Sequence, residues 1–450
     1  MKELKLFLIT DTHYFKNSLG ACGEAYEDLM DTEQKCFAET QNINEAAFEY
    51  LSKSDEADII LIAGDLSFNG EKESHKAFSA LLKDFKEKTG KKIFVVTAGH
   101  DCNEDPFAFN ETGRLSPEGT SFDELYDYYR DFGYDQAIEF NREHMSYAAE
   151  LSDDVRLLVI CNDIAGQKNI DYDDEFLAWM ETQAKKAQAD GKMMIAMEHY
   201  PVIAGQPILN LIADARQKNS KKLIETLADN GVHLIFTGHM HNQSINVEVT
   251  EKGNKFYDVC TGSLIGCPAF MRLVTIKDEN TVDIKSLPVP EFEWDKGGKT
   301  GEQYLKDQFD RMIRTMVSSI EHDPQRFCGK IHLKYKPSMD KPMRMIGRKI
   351  STVRLGTLGK LLFIKVDDSI KKVKFADFAI DMVRSIFEGN QPYVEGTPEG
   401  DMLLRLFRKI KPFVKTFKGS QGEVYDSYEL LKHTVGNYGI DDYNAEIKLK

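Results

Sequence analysis

Cysteine is scarce and unpatterned. The 450-residue chain has seven, an odd number without a CxxC pair, which excludes a disulfide framework and argues for reduced thiols in a cytoplasmic protein. Long apolar runs are missing too. The opening Leu4-Lys5-Leu6-Phe7-Leu8-Ile9 is too short and too charged for a signal peptide or a membrane span, and no other uncharged apolar run approaches membrane length. There is no internal repeat and no low-complexity tract. The basic stretch 331–420, where Lys and Arg outnumber acids roughly two to one, has no recognisable nucleic-acid motif.

Hydrophobic residues at 42% and charged residues at 29% are ordinary for a globular protein. The length exceeds what one hydrophobic core usually supports, so a large domain plus a smaller one is expected. Charge supports a boundary near 300. Residues 1–300 carry 31 Lys+Arg and 53 Asp+Glu, a net of −22, whereas 301–450 carry 27 and 20, a net of +7. The asymmetry suits a basic part docked on an acidic one, or a part that attracts phosphorylated ligands or an anionic surface. Pro288-Val289-Pro290 and Asp295–Lys299 read as a linker, which divides the chain into 1–290 and a basic, partly helical 291–450.

The first part alternates short apolar runs with amphipathic stretches. Runs at Leu4–Ile9, Ala57–Ile62, Lys92–Val96, Val155–Cys161, Lys192–Met197 and Val232–Phe236 read as strands. Between them, Ile43, Ala47, Tyr50 and Leu51, then Phe78, Leu81, Leu82 and Phe85, fall on helical faces. This pattern indicates an α/β domain whose strands are covered by helices. Ile245–Thr250 and Lys255–Cys260 form a hairpin about Lys252-Gly253-Asn254. Met271–Ile276 and Thr281–Ser286 are expected to extend it into a second sheet. Beyond the linker, a stripe from Leu305 to Ile320 and segments near Phe375–Phe387 and Met402–Phe413 read as helices.

The strand ends carry the chemistry. Asp11 and His13, Asp65, His100, His199, and His239 with His241 each follow a strand within a few residues. In open α/β sheets ligands bind beyond the carboxyl ends of the strands, so five strand ends deliver metal-ligand residue types to one edge. Residues two apart point the same way if the backbone stays extended. Each alone has a bland reading as a hydrogen-bonded core histidine or a turn aspartate, but five on one edge do not. Two Asp with three or four His suit Zn, Fe or Mn rather than Mg or Ca, and exceed the three protein ligands of one catalytic metal. Two metals sharing a bridging carboxylate, most naturally Asp65, would clamp a phosphoryl group. His233, inside a strand, reads as a core histidine, and His75, His144, His322, His332 and His433 carry no assigned role.

Asp11-x-His13, Gly64-Asp65, Gly99-His100-Asp101, His199-x-Pro201 and Gly238-His239-x-His241 resemble, in order, the five blocks of the calcineurin-like metallophosphoesterases, over residues 4–285. The resemblance implies a four-layer α/β/β/α sandwich with mixed sheets, followed here by the smaller C-terminal domain. It implies a dinuclear site of Mn, Fe or Zn that hydrolyses a phosphodiester or phosphomonoester by attack of a metal-bound hydroxide. Asp11, His13, Asp65 and His241 would hold one metal, and Asp65, His199 and His239 the second. His100 would contact the phosphate and assist the leaving group, oriented by Asp101. One block departs: where the family has an Asn that ligates the second metal, this chain has Gly99, with Asn103 a candidate replacement. Two other readings differ in class: a non-catalytic metal-bearing scaffold, and a nuclease holding nucleic acid on the basic segment.

Overall fold

The computed structural model describes residues 1–164, 167–330 and 334–450; His332 lies outside them. Six strands build the first sheet. β1 (Leu4–Ile9), β2 (Ile59–Ala63) and β3 (Lys92–Val96) run parallel. The second sheet has seven: β4 (Ala137–Asn141), β5 (Ser146–Glu150), β6 (Val155–Val159), β7 (Met193–Met197), β8 (Val232–Thr237), and the hairpin β9 (Ser244–Val249) with β10 (Lys255–Cys260). The first sheet is completed by β11 (Phe270–Ile276), β12 (Thr281–Pro288) and β13 (Asn444–Lys448). Strand orders are β13-β12-β11-β1-β2-β3 and β9-β10-β8-β7-β6-β5-β4.

The sequence fits these elements locally. β1, β2 and β8 are apolar runs buried on both faces, as strands sandwiched between layers must be. The helix Asp174–Ala189 starts at Asp173, whose carboxylate accepts from Phe176 N at 2.8 Å. The helix Thr40–Lys53 buries Ile43, Ala47, Phe48 and Leu51, but Tyr50 faces solvent, because 100° per residue carries it off the stripe that Phe48 completes.

The two sheets pack face to face. One core holds Phe7, Ile9, Leu61 and Phe94 of the first sheet with Leu157, Val159, Met197, Leu234 and Phe236 of the second. The first sheet's outer face is covered by the helices Thr40–Lys53 and Lys72–Thr89. The second is covered by Asp174–Ala189 and Ser220–Ala228, through Leu158, Phe176, Met180, Leu223 and Ile235. The result is the four-layer α/β/β/α sandwich with mixed sheets.

The expected extension of the second sheet is corrected. The hairpin joins it through β10, parallel to β8, but β11 and β12 join the first sheet, β11 antiparallel to β1. Apolar alternation marks a strand; its partner is chosen by long-range packing. Past residue 300 the chain is mainly helical. The helix Gly301–His322 starts in a capping box of Thr300 and Gln303, and Phe375–Glu388 and Pro398–Ile410 follow. The chain then returns as β13 along β12. Among the described residues no helix is long and apolar enough to cross a membrane.

Candidate metal centre

The carboxyl ends of β1, β2, β3, β7 and β8 open on one edge, and the segments leaving them are cross-linked. Asp11 N donates to Gly64 O at 3.1 Å, His13 N to Asp65 O at 2.9 Å, and Gly238 N to His199 O at 2.9 Å. Parallel pairing thus continues past the strands into the ligand turns. The backbone there is not extended. Asp11, His13, Asp65, His239 and His241 have φ of 50°, 37°, 50°, 66° and 50°. Non-glycine residues visit this left-handed region at a cost and mainly where surrounding structure enforces it. The expectation that paired ligands converge on extended backbone is therefore corrected: the chain curls beneath the site, and that curl aims both members of each pair inward.

Two groups of side chains result, each with ligand atoms within 4.8 Å of one another: Asp11, His13 and His241, and Asp65, His199 and His239. In the first, His241 Nε2 lies 3.1 Å from Asp11 Oδ1 and 3.1 Å from His13 Nε2. In the second, His199 Nε2 lies 3.1 Å from Asp65 Oδ2. The same Asp65 oxygen is 3.6 Å from His13 Nε2, so it stands between the groups, as a bridging carboxylate would.

The surroundings fix these side chains as ligands. His199 Nδ1 donates to Ala63 O at 2.8 Å, and His239 Nε2 to Asp214 O at 2.8 Å, which leaves the other ring nitrogen of each as a free donor atom. Asp11 Oδ2 accepts from Thr10 Oγ1 at 2.6 Å and His239 N at 3.0 Å, while Asp11 Oδ1 and His199 Nε2 are buried with no hydrogen-bond partner. Two buried carboxylates among imidazoles, with unpaired acceptor atoms aimed at common points, fit a pair of cations.

The electrostatics of the protein alone show a strong demand for positive charge among these carboxylates. Burial pushes the Asp11 and Asp65 carboxyls up, but the histidines facing them (His241 and His199 for Asp11, His199 and His100 for Asp65) outweigh it and hold both well below the usual range. Burial lowers His199, yet Asp65 and Asp11 raise it to about 10. His13 and His239 are held at about 4, by burial first and then by Lys35 and His199 respectively.

His100 sits beside these groups, its backbone N–H donating to Asp65 Oδ1 at 3.0 Å and its ring edge-on to His13 at 4.9 Å between centres. Asp101 does not reach the His100 ring. Its oxygens accept from Ser67 N and Ala98 N, both at 2.8 Å, so it shapes the turn that carries His100. Asn103 is spent on the scaffold, donating to Asn69 O in the segment after β2 and accepting from Asp105 N. A side chain begun at Gly99 would instead meet Lys168, the Tyr200 hydroxyl at 3.3 Å and Asp163 Oδ2 at 3.5 Å. That Asp163 oxygen is buried and unpartnered. Asn162 serves the next turn, its oxygen accepting from His199 N at 3.0 Å. His233 lies in β8, Nδ1 donating to Lys255 O at 2.8 Å.

Sequence reasoning missed Lys35 and Asp163. Lys35 lies in a polar loop with no period to mark it. Asp163 follows a strand, the one signal that could have found it.

A sandwich with two His/Asp groups on one strand-end edge defines a dimetal phosphoesterase architecture. The calcineurin-like phosphoesterase family matches over residues 4–243, and the chain belongs to that family: it is a metallophosphoesterase. No curated protein sequence matches it. Among solved structures it is similar to a dimetal phosphatase from Danio rerio, at 10% identity over 64% of this chain and 96% of that one, TM-score 0.45. It is also similar to a purple acid phosphatase from yellow lupin seeds, at 11% identity over 65% and 52%, TM-score 0.41. A third is a 5'-nucleotidase precursor from Thermus thermophilus, at 11% identity over 71% and 60%, TM-score 0.35.

Proposed function

We propose that the chain hydrolyses a phosphodiester, with phosphomonoesters as the second substrate class, at a dinuclear centre of manganese, iron or zinc. Asp11, His13 and His241 would hold one ion, His199 and His239 the other, with Asp65 placed to serve both. The observation that carries this reading is the place of Asp65 Oδ2, 3.6 Å from His13 Nε2 and 3.1 Å from His199 Nε2. When bound, the ions supply an activated water and neutralise charge on the phosphoryl oxygens.

The chain's own residues do the rest. Asp65 also accepts from His100 N, which ties the bridging carboxylate to the histidine that faces the ester. His100 is neutral near pH 7 in the chain alone, because burial and the charge of Lys35 both disfavour its imidazolium. An anionic ester beside it reverses that balance, so the ring can hold a proton at the atom facing the leaving oxygen. Asp163 and Tyr200 line the space beside Gly99 and supply polar atoms where the family's Asn would stand. Residues 291–450 form an accessory region, and seven unpaired cysteines support a reducing, cytoplasmic setting.

The test is a panel of phosphodiesters and phosphomonoesters assayed beside elemental analysis of the same preparation. Replacing His100 by Ala should lower kcat by about 10²–10⁴-fold, the usual range for a positioned proton donor, with metal content unchanged. Full turnover in that variant would remove His100 from the reaction.

A further inference from the structure

Lys35 lies in the loop between Asp31 and Glu39 and is 7% exposed. Its Nζ stands 4.7 Å from the centre of the Phe68 ring, the ring against which His13 packs at 5.9 Å between centres. The ammonium, the Phe68 ring and the His13 ring thus lie in succession at the edge of the first ligand group.

Among the described residues nothing pairs with this ammonium. Glu33, the carboxylate on the same loop, spends Oε1 on Gln34 N and Lys35 N. Glu71, whose buried carboxyl also feels Lys35, forms no ion pair with it. The Phe68 face offers only a cation–π contact. A lysine this largely buried at the edge of two cation sites is held there at a cost unless an anion completes the arrangement.

The loop is also held still. Cys36 N donates to Ile265 O at 2.8 Å, and Gln34 Nε2 to Cys267 O at 2.8 Å. From the accessory region, Gln308 Nε2 donates to Met30 O and Glu33 O at 2.7 and 2.9 Å, and Arg311 pairs with Asp31 at 2.7 Å. Lys35 is therefore a pre-positioned cation on a pinned loop, not a mobile surface chain.

We propose that Lys35 is the substrate-anion contact of this site, its ammonium donating to a non-bridging phosphoryl oxygen on the side of His13. The inference rests on the phosphoesterase reading above and adds a recognition element from a loop outside the strand-end blocks. A charge-assisted bond of this kind discriminates by charge. It strengthens binding of the singly charged diester proposed above and, by more, that of a doubly charged monoester or free phosphate, which is how a diester site comes to accept monoesters as its second class. The accessory region, by bracing the loop, shares in setting that balance.

The test uses full-length, metal-loaded K35M, which keeps length but not charge, with K35Q as the second uncharged variant should the first not fold. Calorimetry with inorganic phosphate, and KM and kcat for one monoester and one diester, are compared with wild type at equal metal content. The expected result is at least tenfold weaker phosphate binding, a monoester KM raised as much, a smaller change for the diester, and recovery of most of the loss in K35R. Phosphate binding within twofold of wild type in a folded, metal-loaded uncharged variant would overturn the assignment, as would equal losses on monoester and diester. If wild type turns over neither ester and binds no phosphate, the phosphoesterase reading falls, and this inference with it.

Discussion

Glu71 shows how far burial alone moves a group in this protein. It is fully buried where the helix Lys72–Thr89 begins, and both carboxyl oxygens lack partners. Burial raises it from 4.5 to about 7. The sign follows. Between those values the folded chain keeps a proton that the unfolded chain has released, so stability falls as pH rises through about 7 and levels off above it. The group's share is at most about 3 kcal/mol between about pH 4.5 and pH 8. Glu71→Gln should flatten this part of the stability–pH curve, so that urea midpoints at about pH 5.5 and about pH 8 lie closer together than in wild type. An unchanged slope would mean that Glu71 is solvated or paired in solution. The ligand carboxylates, at the same scale, show the opposite sign, since the histidines around Asp11 and Asp65 more than offset burial.

At the scale of the element, the site is a property of five turns. Gly64 marks the tightest. Its φ is +89°, and a Cβ there would stand 2.5 Å from His199 Nδ1, the atom that donates to Ala63 O. Gly64→Ala would therefore strain the backbone and turn His199 away from Asp65. The expected result is a lower melting temperature, at a cost of about 1–2 kcal/mol from the left-handed backbone alone, and loss of one of two metal ions by elemental analysis. Two ions retained at wild-type stability would show that the turn relaxes freely.

The same turns explain what was legible in the sequence. Short apolar runs closed by Gly and polar residues located the strands of the site, and their residue types gave the ligand set. The left-handed backbone of Asp11, His13, Asp65, His239 and His241 was not legible, because nothing in an Asp or His side chain announces αL. β4 was not legible because Ala137–Asn141 mixes polar with apolar residues, and β5 because Ser146–Glu150, though buried, has no β-branched residue. β13 has no β-branched pair to mark it, and its place is set by β12, more than 150 residues earlier. Lys35 was invisible for a related reason: the Phe68 ring beneath it and the His13 ring beyond that come from other loops, and its own loop is braced by a helix beyond residue 300.

For the whole molecule, the accessory region is built into the catalytic sandwich. β13 closes the first sheet, Ile447 and Leu449 enter the main core, and the fully buried Arg272 of β11 donates to Cys260 O at 2.7 Å and Asp442 O at 3.0 Å. Second sheet, first sheet and C-terminal tail thus share one side chain. The helix Gly301–His322 braces the Lys35 loop, and its Tyr304 hydroxyl donates to Glu39. At the far side, Arg216 pairs with Glu423, and Ile208 N donates to Thr434 Oγ1 at 3.1 Å, which holds the loop that carries Asp214 and, through it, His239. Distant parts of the chain thus support both ends of one edge.

Strand ends separated by more than two hundred residues are proposed to converge on two cations shared by Asp65. Anomalous diffraction from crystals of the metal-loaded protein tests it directly. Two peaks about 3.5–4 Å apart are expected, one against Asp11, His13 and His241, the other against His199 and His239, with Asp65 touching both and with the second peak lost in an Asp65→Asn variant. A single ion bound away from Asp65, or no ion at this edge in protein that still hydrolyses phosphoesters, would contradict it.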